Sequence, residues 1–525
     1  MPLHPGSIVQ ALLDAAQERP ERLALLFGGD TWTYRRLLDD ARAWAWGLQR
    51  WGLRPEDRVA LFLDNTPTFV AAYLGTHLAG GITVLVNTQY RQVELRHILS
   101  DADARLCITD RQRLAELCRV EHELPTLEAV IVAGEAELTA GGPADNMPHV
   151  VRLRAEELLS SGAGGDLRAP DPGATALLIY TSGTTGPSKG AMLSHRNMAA
   201  NIAAIVEAWR WTKDDRLLLA LPLFHVHGLT VGINGTLLTG GTVDLRSRFD
   251  AADIYSTLLR GETTMFFGVP TMYTRLLAEA HSRADRPPPP LRLYVSGSGP
   301  LSVQTFEDFQ QHFGQPLLER YGMTETLMNL SNPYFGERRS GTVGQPFPGQ
   351  EARIVDIRTR EPILDERMGE IEVRGPHVFK GYWRRPDATA AAFTPDGWFS
   401  TGDLGWRSAD GYYTISGRAR ELIISGGYNI YPREVEEALQ RHPAVAEAGV
   451  LGLADQDYGE QVVAAVVVRP GTATPNDDLA TELIAHCRDQ LASYKKPRRV
   501  VFVDALPRNA LGKVQKHILR EWVER

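Results

Sequence analysis

The sequence predicts an α/β protein: a large N-terminal domain of βα-type sheets flanked by helices, followed by a small α+β domain in the last hundred or so residues. Three observations lead there. At 525 residues the chain exceeds what one hydrophobic core usually supports, so two or more domains are expected. From about Thr31 to Thr109, amphipathic helical stretches such as Tyr34 to Trp51 alternate with short apolar runs, Arg58 to Leu63 and Gly81 to Val86, which is the rhythm of βα units. After Asp403 that rhythm gives way to hairpin-like pieces, Gly411 to Ile415 and Glu421 to Ile424, separated by Ser416-Gly417-Arg418.

Between these ends the elements come in order. The polar, Gly/Pro-rich segments Ala133 to Met147 and Ser160 to Gly173 read as long connections. Ala176 to Tyr180 has strand character. A second cycle predicts a helix near Asn197 to Arg210, strands at Arg216 to Pro222 and Thr263 to Phe267, and a helix from Pro270 to Ala280. Pro287 to Pro290 is a stiff spacer, and Leu291 to Val295 returns to strand character. The small domain should contain a helix at Pro432 to Arg441 and a strand at Gln461 to Val468.

Composition excludes several function classes. Hydrophobic residues at 43% and charged residues at 23% suit a soluble globular protein, and no apolar run approaches the ~20 residues of a membrane helix. Met1-Pro-Leu-His-Pro-Gly6 lacks a basic segment followed by an apolar core, so a cytoplasmic protein is expected. The formal charge of −8 argues against nucleic-acid binding, which needs a concentrated basic surface. Cys107, Cys118 and Cys487 have neither metal-ligand spacing nor an even count, and read as buried thiols.

The segment Tyr180-Thr-Ser-Gly-Thr-Thr-Gly-Pro-Ser-Lys-Gly190 carries the strongest chemical signal. Hydroxyls on Thr181, Ser182, Thr184, Thr185 and Ser188 can donate hydrogen bonds, Gly183 and Gly186 admit close backbone N–H approach, and Lys189 supplies a point charge. That combination reads as a cradle for the triphosphate of ATP. The spacing is not that of a P-loop, because Pro187 and Ser188 separate the last glycine from the lysine. A Ser/Thr/Gly-rich loop alone is usually a linker, but linkers rarely keep one Lys and one Pro inside dense hydroxyls.

Further motifs accompany it: Leu221-Pro-Leu-Phe-His225, Tyr321-Gly-Met-Thr-Glu325, Ser400-Thr-Gly-Asp403, Gly417-Arg418, Ser425-Gly-Gly427 and Pro507-Arg-Asn-Ala-Leu-Gly-Lys513. In order and spacing the set resembles the adenylate-forming superfamily of acyl-CoA synthetases, luciferases and adenylation domains. The resemblance runs from Tyr180 to Lys516; earlier residues match only in general character. Within the superfamily, Gly268-Val-Pro-Thr-Met-Tyr-Thr-Arg275, Tyr321 to Asn329 with Ser331-Asn-Pro333, and Lys513-Val-Gln-Lys516 are most similar to malonyl-CoA synthetases.

Residue chemistry and the resemblance together assign roles. Glu325 offers an anionic oxygen for Mg²⁺ and Thr324 a hydroxyl for phosphate, with Thr184 as the implied second metal ligand. Tyr321 can lie flat on adenine, and Asp403 can accept from two ribose hydroxyls. The resemblance puts Arg418 beside the same ribose. The glycines of Ser296-Gly-Ser-Gly-Pro300 would let backbone approach the base or the acid, which implicates Ser296 and Ser298. His225 and His227 face one way if extended, yet no third metal ligand of matching spacing is visible; the resemblance makes His225 a wall of the carboxylate pocket. It also implies that Lys513 reaches into the ATP site from the small domain and contacts the carboxylate and α-phosphate.

The implied reaction is carboxylate plus Mg-ATP to acyl-AMP and pyrophosphate, then displacement of AMP by the thiol of coenzyme A. A mobile small domain would rotate between the steps, exchanging the Lys513 face for the Ser425-Gly426-Gly427 channel. The pivot falls at Arg420, dividing the chain into 1–419 and 420–525; arginine departs from the Lys or Asp common in the family. Malonate or methylmalonate is the expected acid, held through Arg275, with Met323 and Met328 bordering the pocket. Two alternatives are a medium-chain fatty or aromatic acid ligase and a non-catalytic nucleotide-binding homologue. Lys495-Lys-Pro-Arg-Arg499 reads more simply as a solvated charge run than as a grip on coenzyme A phosphates.

Overall fold

Strands rich in Val, Ile and Leu without polar alternation need cover on both faces, and helices supply it here. The computed structural model describes residues 6–134, 150–160, 162, 165, 167, 169–181, 187–283, 287–509 and 512–524. In an eight-stranded sheet, Arg58–Phe62 lies parallel between Ile82–Leu85 and Ala104–Asp110; Thr175–Thr181 extends the sheet and pairs antiparallel with Lys189–Ser194. A nine-stranded sheet has a parallel centre of Thr242–Leu245, Arg216–Leu219, Met265–Gly268, Leu293–Ser296 and Leu318–Met323.

One apolar core joins the two sheets through the helices Tyr34–Trp51, Pro67–Leu78 and His195–Ala208. Every residue from Phe69 to Leu78 is buried, as a helix apolar all round requires. That helix starts where it does because Thr66 accepts from the Phe69 amide at 3.2 Å and Pro67 needs no partner at the first position. The predicted helix near Asn197 to Arg210 begins two residues earlier, at His195, where Ser194 and Asn197 cap each other.

Next in the chain is a four-stranded antiparallel sheet: Glu351–Val355, Gly369–Arg374, Phe399–Arg407 and Tyr413–Arg418. Here the pairing differs from the sequence expectation. Tyr413–Arg418 pairs backwards with Phe399–Arg407, whereas Ile423–Ser425 pairs onward with Tyr428–Ile430 and with Gly459–Val468. The two hairpin-like pieces therefore belong to different sheets, with the short turn Ala419–Glu421 between them.

The small domain is a five-stranded sheet built on the long hairpin Val445–Asp455 and Gly459–Val468. Helices Pro432–Gln440 and Asp477–Gln490 cover one face, burying Val435, Leu439 and Leu483; Lys516–Glu524 covers the other with Leu519 and Val523. Cys107 and Cys487 are buried, Cys118 is half-buried, and all three are free thiols. Among the described residues no helix is long and apolar enough to cross a membrane. Most of the Ala133 to Met147 connection lies outside the described residues.

Leu318–Met323 and Leu327–Ser331 form a hairpin that presents Tyr321 and Glu325, and it closes tightly. Leu327 adopts φ +54°, and a Cβ on Gly322 would lie 1.9 Å from the Leu327 carbonyl oxygen. Gly322→Ala should part the hairpin at about 1–3 kcal/mol or more and lower the thermal unfolding midpoint. An unchanged midpoint would show that the turn can relax around a methyl group.

Candidate active site

Antiparallel pairing in register sets Asp403 opposite Arg418, and this pair organises the site. Arg418 Nε donates to Asp403 Oδ1 at 2.6 Å, while the Tyr321 hydroxyl donates to the other carboxylate oxygen. Burial works against the charge of Arg418, but Asp403, Tyr321 and Glu325 more than offset it and hold its pKa above the usual value. Burial and then the Asp403 charge push the Tyr321 phenol far above its ordinary range, so it stays a donor.

Tyr321, Asp403 and Arg418 line a cavity of about 280 Å³ that lies beyond the C-terminal end of Leu293–Ser296 and along Leu318–Met323, near where open α/β sheets place their ligands. Lys513 enters it from the small domain. Its turn is closed by Asn509 N–H to Lys513 O at 2.9 Å and Lys513 N–H to Asn509 Oδ1 at 3.0 Å. Gly512 takes φ +73°, and a Cβ there would lie 2.6 Å from Thr271 Oγ1, so the turn sits directly on the helix Pro270–Ser282. Burial, then the Arg418 charge, pull the Lys513 ammonium below a lysine's usual pKa; an anion beside it would reverse this. Three residues on, Lys516 is anchored between Glu436 at 3.1 Å and Glu421 at 3.3 Å.

Glu325 is buried and has no ion-pair partner among the described residues. It accepts from Tyr382 Oη at 3.0 Å and Thr181 Oγ1 at 3.4 Å, and burial raises its pKa. Lys189 Nζ sits 5.3 Å over the Tyr382 ring. A buried carboxylate with spare lone pairs fits Mg²⁺, which takes one or two protein carboxylates and completes its shell from phosphate and water. Among the described residues no cluster of three His, Cys, Asp or Glu could hold a metal, so the His225 and His227 pair gains no third ligand. Thr181 and Lys189 pair across the two strands that carry the predicted phosphate loop; Ser182, Gly183, Thr184, Thr185 and Gly186 lie outside the described residues. Thr324 stands partly buried on the hairpin turn beside Glu325.

Around the far end of the cavity, Ser298 takes φ +66° and is shared: its Oγ lies 3.3 Å from His227 Nδ1 and accepts from Arg320 at 3.2 Å. His227 is buried against Phe267, and His225 is partly buried; burial drops the His225 pKa to about 4, so it is neutral. Ser296 is fully buried and lies outside the cavity lining.

Arg275 is a correction. The helix Pro270–Ser282 buries Tyr273, Leu276, Leu277 and Ala280, and Arg275 projects between those positions to the exposed side, away from the cavity. Among the guanidiniums that do line the cavity is Arg320, 2% exposed, whose Nε has no partner. Burial lowers its pKa to about 9, and it presses on Gly297, where a Cβ would lie 2.5 Å from its Cζ. Met328 is likewise not a cavity wall. It is buried in the core between the sheets, its backbone tied to Asn201 by bonds of 2.7 and 3.3 Å. Met323 is partly buried with its sulfur 4.0 Å from the Tyr321 hydroxyl. Ser425, Gly426 and Gly427 form the turn between Ile423–Ser425 and Tyr428–Ile430, with φ +57° and +82° at the glycines, on a face of the small domain outside the cavity lining.

Residues 12–383 match the AMP-binding enzyme family, and residues 434–513 match the AMP-binding enzyme C-terminal domain. A sulfoacetate–CoA ligase of Cupriavidus necator is 38% identical over 95% of this chain and 95% of its own. A malonate–CoA ligase of Arabidopsis thaliana is 36% identical over 89% of this chain and 78% of its own. The crystal structure of ATP-bound MatB from Rhodopseudomonas palustris superposes with a TM-score of 0.87 at 36% identity, covering 99% of both chains.

Glu319, next to Arg320, is a buried acid whose Oε2 has no partner; burial raises its pKa from 4.5 to about 7, against the opposing charge of Arg433. A carboxyl whose pKa rises on folding takes up protons on folding, so its contribution to stability is lost as pH climbs from 4.5 through about 7. Glu319→Gln should therefore be more stable than wild type at pH 8, by up to about 3 kcal/mol, and unfold at a higher temperature there, with the gap closing near pH 5. Midpoints that stay parallel across this range would contradict the assignment.

Proposed function

The chain belongs to the AMP-binding enzyme family and is an AMP-forming acid–thiol ligase, and from that premise we propose that its acid is malonate or methylmalonate. The observation that carries the choice is Arg320. A buried guanidinium without an acid partner among the described residues is costly, and a monocarboxylate would leave it so. A short acid with a second anionic group would pair it, and Ser298 would orient that group. The names of two relatives, for malonate and sulfoacetate, denote acids of this kind.

In the first step a carboxylate oxygen attacks the α-phosphorus of ATP; the new O–P bond forms as the bond to pyrophosphate breaks. Lys513 brings these two anions together, and its desolvated ammonium stabilises the charge that develops between them. Asp403 and Arg418 would hold the ribose, Tyr321 the adenine, and Thr181, Lys189, Thr324 and the 182–186 loop the phosphates. Mg²⁺, held by Glu325 and Thr184, would neutralise phosphate charge. Neutral His225 would wall the acid pocket without adding a competing cation. In the second step the coenzyme A thiol, shedding its proton, attacks the acyl carbon; the C–S bond forms and the C–O bond to AMP breaks. That step would come after rotation of residues 420–525 about Arg420, which withdraws Lys513 and presents Ser425-Gly426-Gly427.

Pyrophosphate release across malonate, methylmalonate, sulfoacetate, acetate, butyrate, octanoate and benzoate tests the reading. Wild type should favour the dianions, and Arg320→Ala should lower kcat/KM for malonate about 10²-fold, Arg320→Lys less, and Arg275→Ala hardly at all. Octanoate or benzoate preferred over malonate would promote the fatty or aromatic acid alternative; failure of every acid to elicit release would promote the non-catalytic one.

Lys513→Ala should slow acyl-AMP formation ~10²-fold or more while leaving thioester formation from supplied acyl-AMP nearly intact. Equal losses in both half-reactions would refute that division of labour.

A further inference from the structure

Helix chemistry alone does not account for Arg433. It is the second residue of the helix Pro432–Gln440, where the partial positive charge of the helix end disfavours a cation. A first-turn arginine is ordinarily left in water, yet this side chain is only 12% exposed. Its Nε donates to Glu437 one turn on at 2.8 Å, which fixes the guanidinium to its own helix. Its other two nitrogens cross to the large domain, donating to the carbonyls of Ile415 at 2.7 Å and Leu301 at 3.5 Å.

Glu319 is the matching oddity on the large domain. It is 2% exposed, its Oε1 accepts from the Leu301 N–H at a long 3.4 Å, and its Oε2 has no partner among the described residues. Leu301 therefore meets the acid through its amide and the guanidinium through its carbonyl, and Glu319 and Arg433 line the same cavity. Burial works against the Glu319 charge, the Arg433 charge opposes that effect, and Glu437 acts the other way. A buried carboxylate on one domain and a largely covered guanidinium from the other are each less costly with the other present. They come together in the orientation that also brings Lys513 into the cavity, with its turn resting on Thr271.

We propose that Arg433 is a positioning residue for the first half-reaction: seated against buried Glu319, it latches the small domain in the orientation that delivers Lys513 to the acid and the α-phosphate. It touches no substrate and acts through Lys513. Rotation of residues 420–525 would lift the guanidinium away and leave the carboxylate without its counter-charge, so the pair favours the adenylating orientation over the thioester-forming one. This rests on the reading of the chain as a two-step ligase.

The test measures the two half-reactions separately at pH 8. Arg433→Ala should slow acyl-AMP formation about tenfold, because fewer molecules hold Lys513 in place, while KM for ATP and for the best acid of the panel stays near wild type. Arg433→Lys, which keeps the charge, should recover part of that loss. Thioester formation from supplied acyl-AMP should be unchanged or faster in both variants. Glu319→Gln separates a latch from a merely structural role, since it should raise the unfolding midpoint at pH 8 and yet slow acyl-AMP formation. Acyl-AMP formation unmoved by Arg433→Ala or by Glu319→Gln, or equal losses in both half-reactions, overturns the latch. A wild type that forms no acyl-AMP with any acid removes the ligase reading as well; normal wild-type half-reactions with an unmoved Arg433→Ala remove this inference alone.

Discussion

The pairing of Asp403 with Arg418 is the interaction on which the rest of the site depends. Two antiparallel strands in register deliver it, so its geometry is set by backbone rather than by flexible side chains. Its charges reach every titratable group that matters nearby. The Arg418 charge acts to lower the pKa values of Lys513, Glu325 and Arg420, and burial together with the Asp403 charge keeps the Tyr321 phenol protonated. An isolated buried arginine or aspartate here would be expensive; the pair makes a polar floor on which a sugar's hydroxyls can settle.

Polar contacts tie the small domain to the large one in this orientation. Arg433 donates to the carbonyls of Ile415 at 2.7 Å and Leu301 at 3.5 Å while its Nε is tied to Glu437 at 2.8 Å, and the Lys513 turn rests on Thr271. Each half of the chain keeps its own apolar core. A few polar contacts between independently packed bodies can be exchanged for others at small cost, which suits the rotation proposed for residues 420–525.

Much of the site is legible in the sequence because its chemistry demands particular residue types at fixed spacing. Tyr321, Glu325, Asp403, Arg418 and Lys513 each stand in a motif, and the fold brings Tyr321, Asp403, Arg418 and Lys513 to one cavity with Glu325 beside it. Burial is what the sequence hides. Arg275 and Arg320 are equally charged in a string of letters; one lies on the outer side of a helix, the other is buried where its strand pairs antiparallel with Leu327–Ser331, against a glycine. The signal available is an arginine immediately before the Tyr321-Gly322 hairpin. Strand partners are hidden for a similar reason: nothing in Tyr413–Arg418 says whether it pairs with the strand before it or the strand after it.

Gly512 has a consequence out of proportion to its size. It seats the turn against Thr271 with no room for even a methyl group, so the resting distance between the two domains is gauged by an absent side chain. Lysine is long and its tip is loosely held, and that slack is normally an asset in reaching a substrate. A larger residue at this point would act as a shim, tilting the small domain outward, and the slack in the neighbouring lysine would be used up crossing the gap. The precision of a flexible arm is here borrowed from the stiffness of its shoulder.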